Sequence, residues 1–473
     1  MKKLVIAVTT VLVLLCAAWA AATYVLGGQA RDHYFAIFED YGNLGTITLS
    51  NLSYERGFSS STAETLIELK GFPKTEDEDL DLPESFAVVL AHTLNHGPFP
   101  GGGPALATLE TRVKEVRVDG EVLKEAEQEM PLLFKPFSHA RIAFDGSVNE
   151  HTEFAAIKGE TDEFSYHWKG LTSDSEYSSK TKRLISNLSM PGLTIGDEDV
   201  TVNFAGLNGR FNLVETLPKL FLGSSELAFG SFSIKNQKTP DESVEMESLL
   251  VSANSSYAEG QIKIRELIKL GKINVLGESY GPGLLDLEFN NLDAQALSDL
   301  QEQVLAFYQS EDIYDSDVVL SKLLPIYIGF GEQVLAGNPE FNIRELTFIA
   351  PQGTVEGNAQ VKFNGHEGIT LDDTLALIQG LDAAAELTAD ESLIVAYLIA
   401  DTKPKLAEYQ ELGILPEMTE EELEEMAEEQ ASQQIEALLL QNLLIRDGEK
   451  LRFKASYKEG MALLNGQPVP LMQ

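Results

Sequence analysis

His92 and His96 stand four residues apart, a spacing that would let two imidazoles on successive turns of a helix share a zinc ion. The flanking residues predict a strand instead, because Phe86, Val88, Leu90, His92, Leu94 and His96 recur at period two. At about 3.3 Å per residue the two rings then lie about 13 Å apart, too far for one ion with Zn–N bonds of about 2.0 Å. The other histidines, His33, His139, His151, His167 and His366, are scattered, and no HExxH occurs. Ser59, Ser60 and Ser61 follow Gly57, but without a GxSxG elbow that would raise a serine nucleophile. Glu76 to Asp79 with Asp81 could attract calcium through carboxylate oxygens, yet the glycine turn and ligand spacing of an EF-hand are missing, so a solvated loop is expected. Gly101 to Gly103 lacks the lysine and hydroxyl of a phosphate-binding loop. Paired carboxylates for glycoside hydrolysis cannot be singled out among 74 acidic residues. The expectation is no identifiable catalytic residue, no cofactor and no metal.

The elements that would carry any site begin with an N-terminal apolar run. Leu4 to Leu26 has no charged side chain, follows Lys2 and Lys3, and gives way to Arg31 and Asp32. As a helix it is long enough to cross a hydrocarbon core of about 30 Å, and the lysines favour a cytoplasmic N-terminus. Ala20 and Ala22 could form a cleavage site, but the run continues through Thr23, Tyr24, Val25 and Leu26, so a retained anchor is expected. Leu14 and Leu15 before Cys16 are not the small residues a lipoprotein signal carries. Everything after Gly28 should then be exported.

Beyond the anchor the dominant pattern is alternation. Leu451, Phe453, Ala455 and Tyr457 alternate with charged and hydroxyl residues; Leu285, Leu287 and Phe289 alternate with Asp286, Glu288 and Asn290; Val200, Val202 and Phe204 flank Thr201 and Asn203. Antiparallel strands with one packed and one wet face are expected. A weak repeat, Tyr54 to Gly57, Tyr257 to Gly260 and Tyr457 to Gly460, with a looser relative at Ala350 to Gly353, reads as a recurring hairpin turn. Helices are expected over Leu292 to Tyr308, Val318 to Val334, Ala384 to Ile399 and Thr419 to Leu444, the last opened by a Thr419–Glu422 capping box. Gly97 to Pro104, Lys235 to Glu245 and Gly277 to Gly283 are expected breaks. The fold class is therefore α+β: one N-terminal transmembrane helix (1–28), a β-rich domain (29–290) and an α+β domain with packed helices (291–473).

The 473 residues are 44% hydrophobic, enough for more than one core. A net charge of -39 makes nucleic acid an unsuitable partner. The basic cluster Lys180, Lys182 and Arg183 reads as a solvated turn, and the glutamates after Thr419 as a solvated helix face. The one cysteine lies inside the apolar run, so no internal disulfide supports the exported part.

Taken in order, the apolar N-terminal segment, Tyr54-Glu-Arg56-Gly57-Phe-Ser-Ser-Ser61, His96-Gly97-Pro98, Asn291-Leu-Asp293 and Gly460-Met-Ala-Leu-Leu-Asn465-Gly466 resemble the YdgA-like family of bacterial envelope proteins of unknown function. The resemblance implies an inner-membrane anchor with the bulk of the chain in the periplasm, and it supplies no catalytic residues. The candidate binding or turn residues are Tyr54, Arg56, Gly57, His96, Gly97, Pro98, Asn465 and Gly466. The leading expectation is a non-enzymatic, membrane-tethered scaffold or partner-binding protein, with lipid or an envelope protein as partner and the membrane engaged through Leu4 to Leu26. The alternative is an envelope hydrolase acting on glycan or peptide.

Overall fold

Alternating side chains become antiparallel sheet along most of the chain. The computed structural model describes residues 2–43, 46–70, 85–124, 134–160, 164–218, 220–239, 243–310, 316–366, 368–416 and 418–469. The acidic segment Lys74 to Asp81, with its calcium candidates, lies outside them. The residues cluster into two compact units, Met1–Asp197 with Phe204–Ser225 and Ser298–Tyr327, and Glu198–Asn203 with Glu226–Leu297 and Ile328–Gln473.

In the first unit, helix α1 (Lys2–Tyr41) leads into strands β1 (Ile47–Arg56), β2 (Ser60–Lys70), β3 (Ser85–His96), β4 (Ala107–Val118), β5 (Glu121–Val122), β6 (Pro136–Ile142), β7 (Val148–Phe154), β8 (Ile157–Glu160), β9 (Ser165–Trp168), β10 (Leu171–Ser178) and β11 (Arg183–Gly196). Hydrogen bonding runs β1-β2-β3-β4-β6-β7-β10-β11-β9-β8, antiparallel at each step, with β5 folded back on the end of β4. The helix does not stop where the apolar run stops; it continues for 15 residues past Leu26. Among the described residues no helix is long and apolar enough to cross a membrane. The side chains of residues 2–16, which hold most of the apolar run, lie outside that description.

Long strands β12 (Val200–Leu217) and β13 (Leu220–Asn236) follow, with residues assigned to both units. The second unit then contains β14 (Val244–Met246), β15 (Leu249–Ala258), β16 (Gln261–Leu270), β17 (Ile273–Val275), β18 (Glu278–Tyr280) and β19 (Gly283–Asp293). After helices α2 (Ala294–Ser310) and α3 (Ser316–Ala336) come β20 (Glu340–Ala350), β21 (Gly353–Phe363), α4 (Thr374–Gly380), β22 (Leu381–Asp390), α5 (Glu391–Glu411), α6 (Glu420–Leu440), β23 (Ile445–Asp447), β24 (Lys450–Lys458), β25 (Met461–Leu464) and β26 (Gln467–Val469). The main ladder is β15-β16-β19-β20-β21-β22-β24-β25-β26, again antiparallel throughout.

The repeated glycine motifs all fall at hairpin turns: between β1 and β2, β15 and β16, β20 and β21, and β24 and β25. At two of them, Glu259-Gly260 and Glu459-Gly460, both central residues have positive φ. That is the left-handed geometry a two-residue hairpin requires, and glycine supplies it without steric cost. Thr419 caps α6 in a full capping box with Glu422, and Leu423, Ala427, Ala431 and Ile435 form its buried stripe. Leu423 and Ala427 pack with Leu406 of α5.

Three expectations need correction. Ala384 to Asp390 is strand, not helix: it pairs in register with β21 and β24, and α5 begins only at Glu391. Three consecutive alanines favour a helix on propensity, but their small side chains also fit between two neighbouring strands, and the sheet wins. Two expected breaks contain short elements: Gly97 to Pro104 holds a 3-10 turn, Pro100–Gly102, and Gly277 to Gly283 holds strand β18, which pairs with β17. In β19 the wet face is covered: Asp286 and Glu288 are 6% and 7% exposed, while Leu285 and Leu287 are only half-buried. The reason is cross-strand pairing. Arg265 grips Asp286 through two bonds of 2.9 and 2.6 Å, and Lys263 and Arg344 reach Glu288 at 2.8 and 3.0 Å, so the cations' alkyl stems roof the carboxylates.

Candidate functional site

Six of the eight residues singled out from the sequence, Tyr54, Arg56, Gly57, His96, Gly97 and Pro98, lie where α1 meets the sheet. Thr23, Gly27, Ala30 and Tyr34 recur at helical spacing and are all buried, forming one stripe. Facing them, period two puts Ser61, Ala63 and Thr65 of β2 and His92, Leu94 and His96 of β3 on one side of the sheet, joined by Thr111 of β4.

The closest approach is at Gly27. A Cβ there would lie 2.6 Å from His96 Nδ1, so only glycine lets the imidazole rest against the helix backbone. A helix-interior glycine costs about 1 kcal/mol relative to alanine, and this contact supplies the reason for keeping it. Gly97, at φ +134, reciprocates: a Cβ on it would come 3.1 Å from Thr23 Oγ1. Arg56 stacks its guanidinium 4.4 Å from the centre of the Tyr24 ring and donates to the Tyr24 carbonyl. Tyr54 packs its ring on Tyr34 at 5.3 Å. Gly57 and Pro98 lie in the two turns that close this end of β1 and β3.

Deeper in the cradle runs a chain of polar groups. Tyr34 Oη contacts Thr65 Oγ1 at 2.9 Å and donates to Asn51 Oδ1 at 3.1 Å. His92 is held at both nitrogens, by Thr65 Oγ1 and Thr111 Oγ1, each at 3.0 Å. The hydroxyls complement a neutral imidazole, since one ring nitrogen donates and the other accepts. Burial pushes the His92 pKa down to about 4. The consequence for stability has a definite sign. The unfolded histidine, with a pKa near 6.5, takes up a proton first as pH falls, so the stabilisation present above about pH 6.5 is lost between there and pH 4. We expect the His92→Phe variant to show a shallower decline of urea midpoint from about pH 7 to about pH 4.5 than the parent chain; parallel declines would exclude this role for His92.

Ser61 Oγ and His96 Nε2 are 3.0 Å apart, the spacing of a nucleophile and its base. The surroundings remove that chemistry. Ser61 and His96 are 2% and 3% exposed, so a substrate cannot reach them. His96 Nδ1 faces the helix backbone near Thr23 and Gly27, where a triad would place a carboxylate. Burial depresses its pKa, with Arg56 acting in the same direction and the Thr23 backbone opposing. The pair is a structural bond between the start of β2 and the end of β3. The histidine pair His92 and His96 is likewise committed to hydroxyl partners.

Asn465 and Gly466 belong to the second unit, at the β25–β26 turn, with φ of 48° and 81°. Asn465 accepts from Lys454 N at 2.9 Å and donates to Asn442 O at 2.8 Å, tying the hairpin to the segment after α6.

A second feature of the first unit is an open trough of about 580 Å³ on the sheet. Register aligns two cross-strand columns along it: Glu110, His139, His151, Asp174 and Asn187, and Thr108, Arg141, Asn149, Glu176 and Ile185. Most of its lining residues are polar, with Leu109, Ala140 and Ile185 among them. His151 Nδ1 meets Asp174 at 2.8 Å, which raises the imidazole pKa. Among the described residues no group of three or more potential ligands is placed to hold a metal ion.

The geometry missed by sequence reasoning is the helix side of the cradle. Gly27-Gly28 inside an otherwise uninterrupted helix, followed at helical spacing by Ala30 and Tyr34, is the signal that marks it.

A family model described as a bacterial protein of unknown function, DUF945, matches residues 1–472. The chain belongs to the DUF945 family. No curated protein and no solved structure matches this DUF945 chain.

Proposed function

We propose that this DUF945 chain is a non-enzymatic envelope protein, tethered to the inner membrane by Leu4 to Leu26 with its bulk in the periplasm, and that it acts as a scaffold or partner-binding body of the YdgA-like kind. The observation that carries this reading is the continuity of α1, which passes without interruption from the apolar run into the Thr23-to-Tyr34 cradle. A flexible linker would let a body wander around its anchor. A helix locked to the sheet instead fixes the body's distance and tilt relative to the anchor.

The sealed Ser61–His96 pair supports a non-enzymatic role. The trough's two columns offer carboxylates, imidazoles, amides and one guanidinium, groups that suit a partner with polar atoms, such as a peptide segment or glycan. Cross-strand columns of this kind can hydrogen-bond an extended ligand laid across the strands.

The test is fractionation of cells producing the full chain with a C-terminal tag. The tag should stay in the membrane pellet after an alkaline carbonate wash and be digested by protease added to spheroplasts. Recovery of the intact chain in the soluble cytoplasmic fraction would overturn the reading. Removal of Lys2 to Ala22, which leaves the cradle stripe in place, should release a folded body into the soluble fraction.

A further inference from the structure

We infer that one end of the first unit's sheet is a seat for the bilayer surface: the turns around the exit of α1 rest their exposed aromatic tips in the lipid headgroup region. The inference builds on the tether proposed above and adds a second contact with the same membrane.

The register puts these turns at one end. Strands β1, β3, β6 and β10 all run toward it, and β2, β4, β7 and β11 return from it. The turns are bonded to their neighbours in sequence around the rim. His96 N donates to Ser59 O at 2.9 Å, Leu106 N to Ile142 O at 2.9 Å, and the Ser147 and Ser179 hydroxyls meet at 3.3 Å. With strands about 4.8 Å apart, eight strands make a rim about 34 Å long.

Each of three successive turns presents an exposed phenylalanine: Phe58 between β1 and β2 (52% exposed), Phe99 between β3 and β4 (64%), and Phe144 between β6 and β7 (54%). Folding leaves single apolar side chains exposed at many places, but a large aromatic at three successive tips of the four along one edge is a pattern. The helix supplies the continuation. Gly27 touches His96 and Thr23 touches Gly97, so α1 runs toward this rim as its numbering falls, and the next aromatics on it, Tyr24 and Trp19, are exposed. Trp19 lies 5.9 Å from Phe58, centre to centre. Aromatic side chains at the depth where an apolar helix meets water are the usual occupants of the membrane interface.

Charge agrees with this placement. The fourth turn holds Lys180, Lys182 and Arg183, the basic cluster of a strongly acidic chain. Lys180 pairs with Asp145 at 3.3 Å and Lys182 with Glu215 at 3.1 Å, neutralising the nearby carboxylates. Their neutralisation lifts the repulsion that the chain's acidity would otherwise impose near anionic lipid. At the opposite end of the same strands, the β4–β5 turn carries Asp119 and Glu121.

The full chain, reconstituted in nanodiscs of zwitterionic and anionic phospholipid, tests this through single tryptophans. In a Trp19→Phe, Trp168→Phe background, Phe58→Trp, Phe99→Trp and Phe144→Trp are each compared with Val122→Trp, an exposed position in β5 at the opposite end. Lipids brominated near the top of the acyl chain should quench the three rim tryptophans at least twofold and leave the emission of the Val122→Trp chain unchanged. Equal, negligible quenching at all four positions would overturn the inference. Native Trp19, read in a Trp168→Phe chain, separates the two claims. If Trp19 is quenched and the rim is silent, the tether stands and the seat falls; if the chain does not enter the nanodisc and Trp19 is silent, both fall.

Discussion

Replacing Gly27 by leucine should undock α1 from the sheet. The new side chain would occupy the space of the His96 ring, with its Cβ 2.6 Å from Nδ1. The backbone on both sides is held in place, by the helix on one and by β3 and the positive-φ Gly97 on the other. Overpacking of a closed site costs about 1 to 3 kcal/mol. We expect the upper part of that range, because relief requires moving the imidazole off Ser61 and so breaking the 3.0 Å bond as well. The check is the urea midpoint of the first unit's unfolding together with protease cleavage after Arg31, which should become rapid. The double variant Gly27→Leu, His96→Ala should recover part of the loss, because removal of the ring opens the space the leucine needs; strict additivity would mean the two residues do not meet.

Glu288→Ala should be the most damaging single change in the second unit's sheet. Glu288 receives Lys263 at 2.8 Å, Arg344 at 3.0 Å and Asn290 at 3.0 Å, and these donors, led by Lys263, hold its pKa down to about 2. The alanine leaves Lys263 and Arg344 without their main acceptor, Arg344 keeping only Asp286 at 3.8 Å. A fully buried pair broken in this way costs about 3 to 5 kcal/mol. The lysine and arginine here are half exposed and can turn to water, so about 1 to 3 kcal/mol is expected, read as a drop in thermal midpoint. The pH dependence follows from the depressed pKa. The stabilisation is present above about pH 4.5, the ordinary glutamate range, and is lost as pH falls toward about 2. The parent chain and the Glu288→Ala variant should therefore converge in stability on acidification through that window, and a gap that stays constant down to about pH 2 would contradict the role given to Glu288.

Much of the sheet was legible because a strand's period of two survives in the sequence wherever one face is apolar. The β3 assignment over His92 and His96, the hairpin glycines and the Thr419 capping box all rest on such local rules. Ala384 to Asp390 was not legible, because an alanine-rich segment carries no alternation and only its neighbours β21 and β24 decide its state. Asp286 and Glu288 misled for a related reason: whether a carboxylate column is wet depends on which cations the adjacent strands bring, and register across strands distant in sequence is not written in any one of them.

The candidate site divides in the same way. Tyr54, Arg56, His96 and Gly97 drew notice as short motifs, but their shared contact with one helix needed the three-dimensional approach of Thr23, Tyr24, Gly27 and Tyr34 to the sheet, while Gly57 only closes the turn between β1 and β2. The apolar character of Leu4 to Leu26 conceals that its last residues, Thr23 to Leu26, already belong to the cradle. Asn465 and Gly466 share a motif-like appearance with the others and have a separate task in the second unit.

Hydrogen exchange of the detergent-solubilised full chain, followed by mass spectrometry, addresses the docking of α1 most directly. The amides of residues 27–38 should exchange together with those of β2 and β3, with the same dependence on urea, and Gly27→Leu should separate the two. Rapid, independent exchange of residues 27–38 in the unmutated chain, while β2 and β3 stay protected, would show that the helix is not held by the sheet.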